Sequence, residues 1–133
     1  MILVDTTIWV DFFKGQDTAH VTYLRNIIIQ GIDLCLCGIV LTEILQGIKN
    51  KKEHHQIEDI LTSLIFLEMK RSTFELAADM FRILRKRGIT IRKTLDCMIA
   101  AVAIENNIPL IHNDRDFDPI EKYCGLQVIN TTP

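Results

Sequence analysis

The feature that most constrains this chain is an alternation of short apolar runs with stretches of helical periodicity. The apolar runs are Met1 to Val4, Leu34 to Leu36, Leu64 to Leu67, Pro109 to Ile111 and Leu126 to Ile129. Each is the length of a strand, and none approaches the ~18 apolar positions that cross a bilayer. Between them, Val21, Leu24, Ile27 and Ile28 repeat with helical spacing until Gly31. Gly38 leads into a helix with Leu41, Ile44, Leu45 and Ile48 inward, and another helix runs through Ile57, Ile60 and Leu61. Ser72 opens a strongly periodic helix marked by Phe74, Ala77, Ala78, Phe81 and Leu84 and stopped at Gly88. Thr94 is placed to N-cap a further helix through Leu95, Met98, Ile99 and Val102. Strands separated by helices pair in parallel, because a parallel neighbour needs a crossover of helical length, and both sheet faces are then covered. The expected fold is therefore α/β, three layers in α/β/α order, with a central parallel sheet of about four to five strands.

The 133 residues, 48% of them hydrophobic, suffice for one domain with a sizeable core, so a single domain over residues 1–133 is expected. The start MILVDTTIWVDFF lacks the basic segment of a secretory signal, which points to the cytoplasm and not to a membrane. Cys35, Cys37, Cys97 and Cys124 stand in apolar surroundings with no C-x-x-C pair, and read as reduced, packed thiols. The net charge of -2 gives no overall attraction to nucleic acid. Residues 82–93, RILRKRGITIRK, are locally basic without one acid, so any contact with phosphate would be local.

In parallel sheets ligands bind beyond the carboxyl ends of the strands. Asp5 ends the first apolar run, Glu43 follows the second within two helical turns, and Asp114 follows the fourth. Asp96 lies in a first helical turn that can face the same edge. Taken singly, these acids have ordinary uses: Asp5 suits a helix cap, Asp96 complements a helix dipole, and Glu43 suits a solvated surface. Asp118, in the string Asp118-Pro119-Ile120-Glu121, reads as the N-cap of a short helix. Asp116, two residues beyond Asp114, is a candidate to join the cluster directly or through water. Together, converging carboxylates oppose one another's ionisation unless a cation neutralises them. An all-oxygen set suits Mg2+ or Mn2+. Zinc is disfavoured, since His54 and His55 are adjacent and diverge by about 100° on a helix.

The opening ILVDTTIWVDFF, the central GIVLTEILQGI and the segment ITIRKTLDCMIAAVAIENNIPLIHNDRDFD, in this order and over nearly the whole chain, closely resemble PIN domains of the VapC type. The resemblance implies a metal-dependent endoribonuclease, with Asp5, Glu43, Asp96 and Asp114 as its acidic quartet and Asp116 a candidate fifth member. It implies that Thr7 assists as a hydroxyl near Asp5 while Thr6 faces away. Many relatives carry Thr or Ser two positions before the fourth acid, where this chain has His112. As a toxin of a toxin–antitoxin pair, the protein would form a homodimer and meet a VapB-type antitoxin, for which exposed apolar positions near Trp9, Phe12 and Phe13 offer a seat, with core burial expected for at least some of the three. Arg92 and Lys93, just upstream of Asp96, are the candidate RNA contacts.

Other Asp-rich α/β proteins fit less well. A haloacid-dehalogenase-like phosphatase needs D-x-D after its first strand, whereas Asp5 is followed by Thr6 and Thr7. A receiver domain needs paired acids after its first strand and an Asp ending its third, and around Leu64 to Leu67 there is no such Asp. G-x-S-x-G, Walker and dinucleotide motifs are missing. A PIN nuclease of RNA processing, outside any toxin system, stays open.

Overall fold

A computed structural model of the chain describes residues 1–131. Strands β1 (Ile2–Val4), β2 (Leu34–Cys37), β3 (Ile65–Leu67) and β4 (Leu110–Ile111) form one parallel sheet in the order β3-β2-β1-β4. Leu3 pairs with Cys35 on one side and Leu110 on the other. β1, β2 and β4 are buried at every position, as expected for parallel strands covered on both faces, and hence read as unbroken apolar runs. β3 is the edge strand and leaves Phe66 half exposed.

The expected fifth strand shrinks to one parallel bridge between Leu110 and Val128. The Leu110 N–H donates to the Gln127 carbonyl (2.9 Å) and the Ile129 N–H to the Leu110 carbonyl (3.0 Å). β4 has only two residues, so a neighbour finds no longer ladder to join.

Seven α-helices flank the sheet among the described residues: α1 (Thr6–Phe13), α2 (Ala19–Ile29), α3 (Gly38–Gln46), α4 (Lys51–Thr62), α5 (Arg71–Lys86), α6 (Thr94–Glu105) and α7 (Asp118–Cys124). Gly31, at φ +73°, ends the α2 region in a left-handed conformation open to glycine at little cost. α5 buries Thr73, Ala77, Met80 and Leu84, so its inner face is rotated from the expected one and Phe74 is largely exposed. Met80, unbranched and adaptable, takes the inner position that periodicity gave to the aromatics.

α6 packs against α3 and α5 and is apolar nearly all round, with residues 99–103 fully or almost fully buried. Such a helix belongs inside the molecule, and its small alanines permit close approach on several sides. Thr94 is its first helical residue and not its cap. Lys93 holds the capping position without a side-chain capping bond, its carbonyl accepting from the Asp96 N–H at 3.2 Å.

Topology fixes where a ligand would sit. The chain steps from β1 to β2 to β3 in one direction and then crosses to place β4 on the far side of β1. The direction of winding therefore reverses at β1, and crevices in parallel sheets open at such a reversal, beyond the strand ends.

Trp9 is fully buried, stacked on Phe13 (centroids 5.6 Å apart, 18° between planes) and edge-on to Phe12 (5.8 Å, 90°). Phe12 and Phe13 pack against the core. Core burial thus takes Trp9, as expected for part of this trio, while Phe12 and Phe13 stay partly exposed where α1 packs against α2 and α3.

Candidate active site

Asp5 leaves β1 and caps α1. Its Oδ2 accepts the Thr7 N–H (3.2 Å) and the Thr7 hydroxyl (2.6 Å), and only 3% of the residue is exposed. The Thr7 hydroxyl oxygen accepts the Asn113 N–H in turn (3.1 Å), tying the end of β1 to the loop after β4. A helix cap and a site carboxylate are thus compatible uses of Asp5.

Glu43 is held in the second turn of α3, where its Oε1 accepts the Thr6 hydroxyl at 2.7 Å. This corrects the expectation that Thr6 faces away. α1 packs on α3, and the ~100° step per helical residue that sends Thr7 back to Asp5 turns Thr6 toward Glu43. Thr6→Val should therefore loosen Glu43 and lower divalent-metal affinity by about tenfold, and Thr6→Ser should restore it. Calorimetric Mn2+ titration of the two variants checks this; equal affinity in wild type and Thr6→Val would mean that the bond orients nothing.

Asp96 sits on the first turn of α6, 5% exposed, and its Oδ2 is buried without a hydrogen-bond partner. Burial pushes its carboxyl up to about 7; Lys93 opposes the rise, and Asp114, Asp5 and Asp116 add to it. Burial likewise raises Asp5, against the bonds from Thr7 and Thr6.

Asp114 follows β4 and opens a 3-10 turn (Arg115–Phe117), its Oδ1 accepting the Asp116 N–H (2.9 Å) and its Oδ2 the Lys93 ammonium (3.0 Å). Burial alone would raise its pKa, but the Asp116 N–H and Lys93 outweigh that and lower it. Asp114, not Asp118, is the capping acid of this segment. Asp118 already lies within α7 in helical conformation, because the 3-10 turn runs directly into that helix.

The four expected acids are brought together. Asp5, Glu43, Asp96 and Asp114 line one cleft of about 360 Å3, beyond the ends of β1 and β4. Asp116 joins them in part, since carboxylate oxygens of Asp96, Asp114 and Asp116 lie within 4.8 Å of one another. Asp5 and Glu43 instead each accept a threonine hydroxyl, from Thr7 and Thr6. Asp11 also lines the cleft. Its place four residues after Thr7, on the same helical face, was the signal available for it.

Lys93 borders the cleft, and with Arg92 it also lines an adjoining, larger one of about 1270 Å3. The three arginines earlier in the basic run are engaged locally: Arg82 pairs with Asp79 (3.7 Å), Arg85 lies over Phe81 and Arg87 over Tyr123 (4.2 Å). His54 and His55 pair along α4 with Glu58 (3.2 Å) and Asp59 (3.7 Å), in exposed positions away from the acids. His112 accepts the Asp114 N–H at Nδ1 (3.1 Å) and leans on Phe117 (4.8 Å), so it fixes the backbone from which Asp114 projects. Its pKa is lowered, chiefly by burial, which suits a neutral ring with an accepting Nδ1.

The donor set fits a hard divalent cation: carboxylate oxygens converge from α6 and the turn after β4, and one buried oxygen, Asp96 Oδ2, accepts no hydrogen bond.

This architecture defines a class. The PIN domain family model matches residues 2–123, and the chain belongs to that family. Within it, a VapC ribonuclease of Mycobacterium bovis and ribonuclease VapC11 of Mycobacterium tuberculosis are each 32% identical over 129 residues, covering 96% of both chains. Among solved structures, VapBC2 of Rickettsia felis, bound to a DNA fragment from its promoter, matches with a TM-score of 0.77, 21% identity and 98% coverage of both chains. VapBC of Salmonella typhimurium gives 0.79 at 16% identity over 98% of each chain, and VapBC-1 of nontypeable Haemophilus influenzae 0.74 at 23% over the whole of each. At these identities the structural matches speak for the fold.

Proposed function

We propose that this chain, acting as one PIN domain over residues 1–133, is a Mg2+- or Mn2+-dependent endoribonuclease and the toxin of a VapBC-type pair. The observation that carries the reading is the meeting of Asp5, Glu43, Asp96 and Asp114 in one cleft, in a chain whose relatives are named as VapC ribonucleases. It would act in the cytoplasm as a homodimer restrained by a VapB-type antitoxin. Support comes from the VapBC assemblies that share its fold, and no helix among the described residues is long and apolar enough to cross a membrane.

Asp96, Asp114 and Asp116 would hold the ion, with Asp5 and Glu43 completing the acidic wall. When bound, a divalent ion supplies a lowered water pKa for in-line attack on phosphorus and charge neutralisation at the leaving 3′ oxygen, giving 5′-phosphate and 3′-hydroxyl ends. The chain's own work is positioning. Thr7 fixes Asp5, Thr6 fixes Glu43, and His112 fixes the backbone of Asp114.

Carboxylates repel RNA, so a cation must meet its backbone. Arg92 is exposed beside the larger cleft and has no ion-pair partner among the described residues. Arg92→Ala should weaken RNA binding and reduce the slope of log affinity against log salt by roughly 0.7, the value for one contact to a single strand. An unchanged slope, measured by fluorescence anisotropy, would remove Arg92 from the interface.

The test of the whole reading is incubation of the purified protein with defined tRNA and rRNA fragments, in Mg2+, Mn2+ or EDTA. Internal cuts with 5′-phosphate ends, abolished by EDTA, are expected. Cleavage that survives EDTA, or no cleavage of any fragment with either metal, would overturn it.

A further inference from the structure

The metal cluster contains a cation of its own. The Lys93 ammonium is 3.0 Å from Asp114 Oδ2 and 3.8 Å from Asp96 Oδ2, so it sits between two of the three carboxylates whose oxygens lie within 4.8 Å of one another. Among the described residues, Lys93 is the one basic side chain lining the acidic cleft. Its backbone is fixed at the capping position of α6, but its side chain is half exposed and ends a flexible four-carbon stem. Lys93 also lines the larger cleft, so rotation about that stem moves the charge from one cleft to the other.

We propose that Lys93 is a built-in stand-in for the divalent cation, occupying the gap between Asp96 and Asp114 until metal enters and then swinging into the larger cleft to bind RNA phosphate. The proposal rests on the metal reading above. A divalent ion bound by the same two oxygens would approach to about 2.1 Å. It would then repel an ammonium held a few ångströms away, while taking over its partners. A released lysine faces the cleft that Arg92 also borders, so metal entry would add a backbone contact as well as the ion's own charge. Metal and RNA would then assist each other's binding through one side chain, as reciprocal coupling requires.

The experiment titrates Mn2+ calorimetrically, without RNA, into the full chain and into Lys93→Met, which keeps the stem and removes the charge. Arg115→Gln is the control, because it removes a neighbouring cation that has no ion pair among the described residues. Lys93→Met should bind Mn2+ about tenfold more tightly, whereas Arg115→Gln should change affinity less than about twofold. In the wild type, the ammonium resonance of Lys93 in 1H–15N spectra should be protected from exchange without metal and lost on saturation with Mg2+. Unchanged or weaker Mn2+ binding by Lys93→Met, an equal gain in the control, or a Lys93 resonance that survives Mg2+ would each overturn the proposal and leave the metal site standing. Failure of wild type and both variants to bind Mn2+ would instead overturn the metal reading, and this inference with it.

Discussion

Asp96→Asn is expected to lower RNA cleavage by about 10^3-fold or more and, at the same time, to raise the melting temperature of the metal-free protein near pH 8. The two effects have one cause. Asp96 Oδ2 is buried without a hydrogen bond, its ion pair with Lys93 stretching to 3.8 Å, and burial with neighbouring carboxylates holds the carboxyl at about 7, against an ordinary 3.8. Above pH 7 the folded chain must carry that charge in a poorly solvated site, which lowers stability by up to about 4 kcal/mol. A neutral amide of the same shape removes the penalty but leaves Lys93 without one of its two carboxylates. The expected net gain is about 2 kcal/mol, or roughly 6 °C for a chain of this length. The same substitution removes an anionic metal ligand and with it the chemistry. Calorimetric unfolding in EDTA, set beside initial cleavage rates in Mg2+, measures both. A variant that is inactive and also less stable would mean that Asp96 is there for structure alone.

The contribution of Asp96 and Asp5 to the stability of the metal-free wild type should fall as pH rises from about 4 to about 8 and be recovered by Mg2+, while the lowered pKa of His112 acts in the opposite sense just below 6.5. The sign follows from the direction of the shifts. Asp96 and Asp5 have folded-state pKa values raised above their unfolded ones, so the folded chain binds more protons than the unfolded chain between the two values. Their contribution is complete below about pH 4 and is lost as pH climbs through about 7 for Asp96. Asp114 is shifted downward, so its contribution disappears only in acid, below this window. Metal prefers the ionised carboxylates, so it competes with protons. The rise in melting temperature on adding Mg2+ should therefore be small near pH 5 and largest above pH 7. A gain from Mg2+ that does not depend on pH would separate metal binding from the protonation of Asp96.

The strands were readable because buried parallel strands leave continuous apolar runs, and β1, β2, β3 and β4 fall where those runs predict. Asp5 and Asp114 were readable for the same reason, since each follows a strand on one side of the winding reversal. Residues 126–129 were harder to judge. An apolar run specifies burial, but a ladder also needs a partner of sufficient length, which β4 does not offer. Trp9, Phe12 and Phe13 show the converse limit. Their hydrophobicity is equally compatible with a docking surface and with a core, and only the packing of α1 against α2 and α3 buries Trp9 while leaving Phe12 and Phe13 partly exposed.

By itself, the sequence determined the fold class, the order of its elements and the placing of Asp5 and Asp114, because these depend on periodicity and on which residues follow which strands. Glu43 and Asp96 were named instead through the resemblance to PIN domains. The tertiary structure decided what each acid touches. It turned Thr6 onto Glu43, made Asp114 and not Asp118 the cap, drew Asp116 toward Asp96, and set Lys93 among the carboxylates. Such contacts join residues up to 106 positions apart, as between Thr7 and Asn113. They depend on helix rotation and loop path to within an ångström or two, and local periodicity carries no information at that precision.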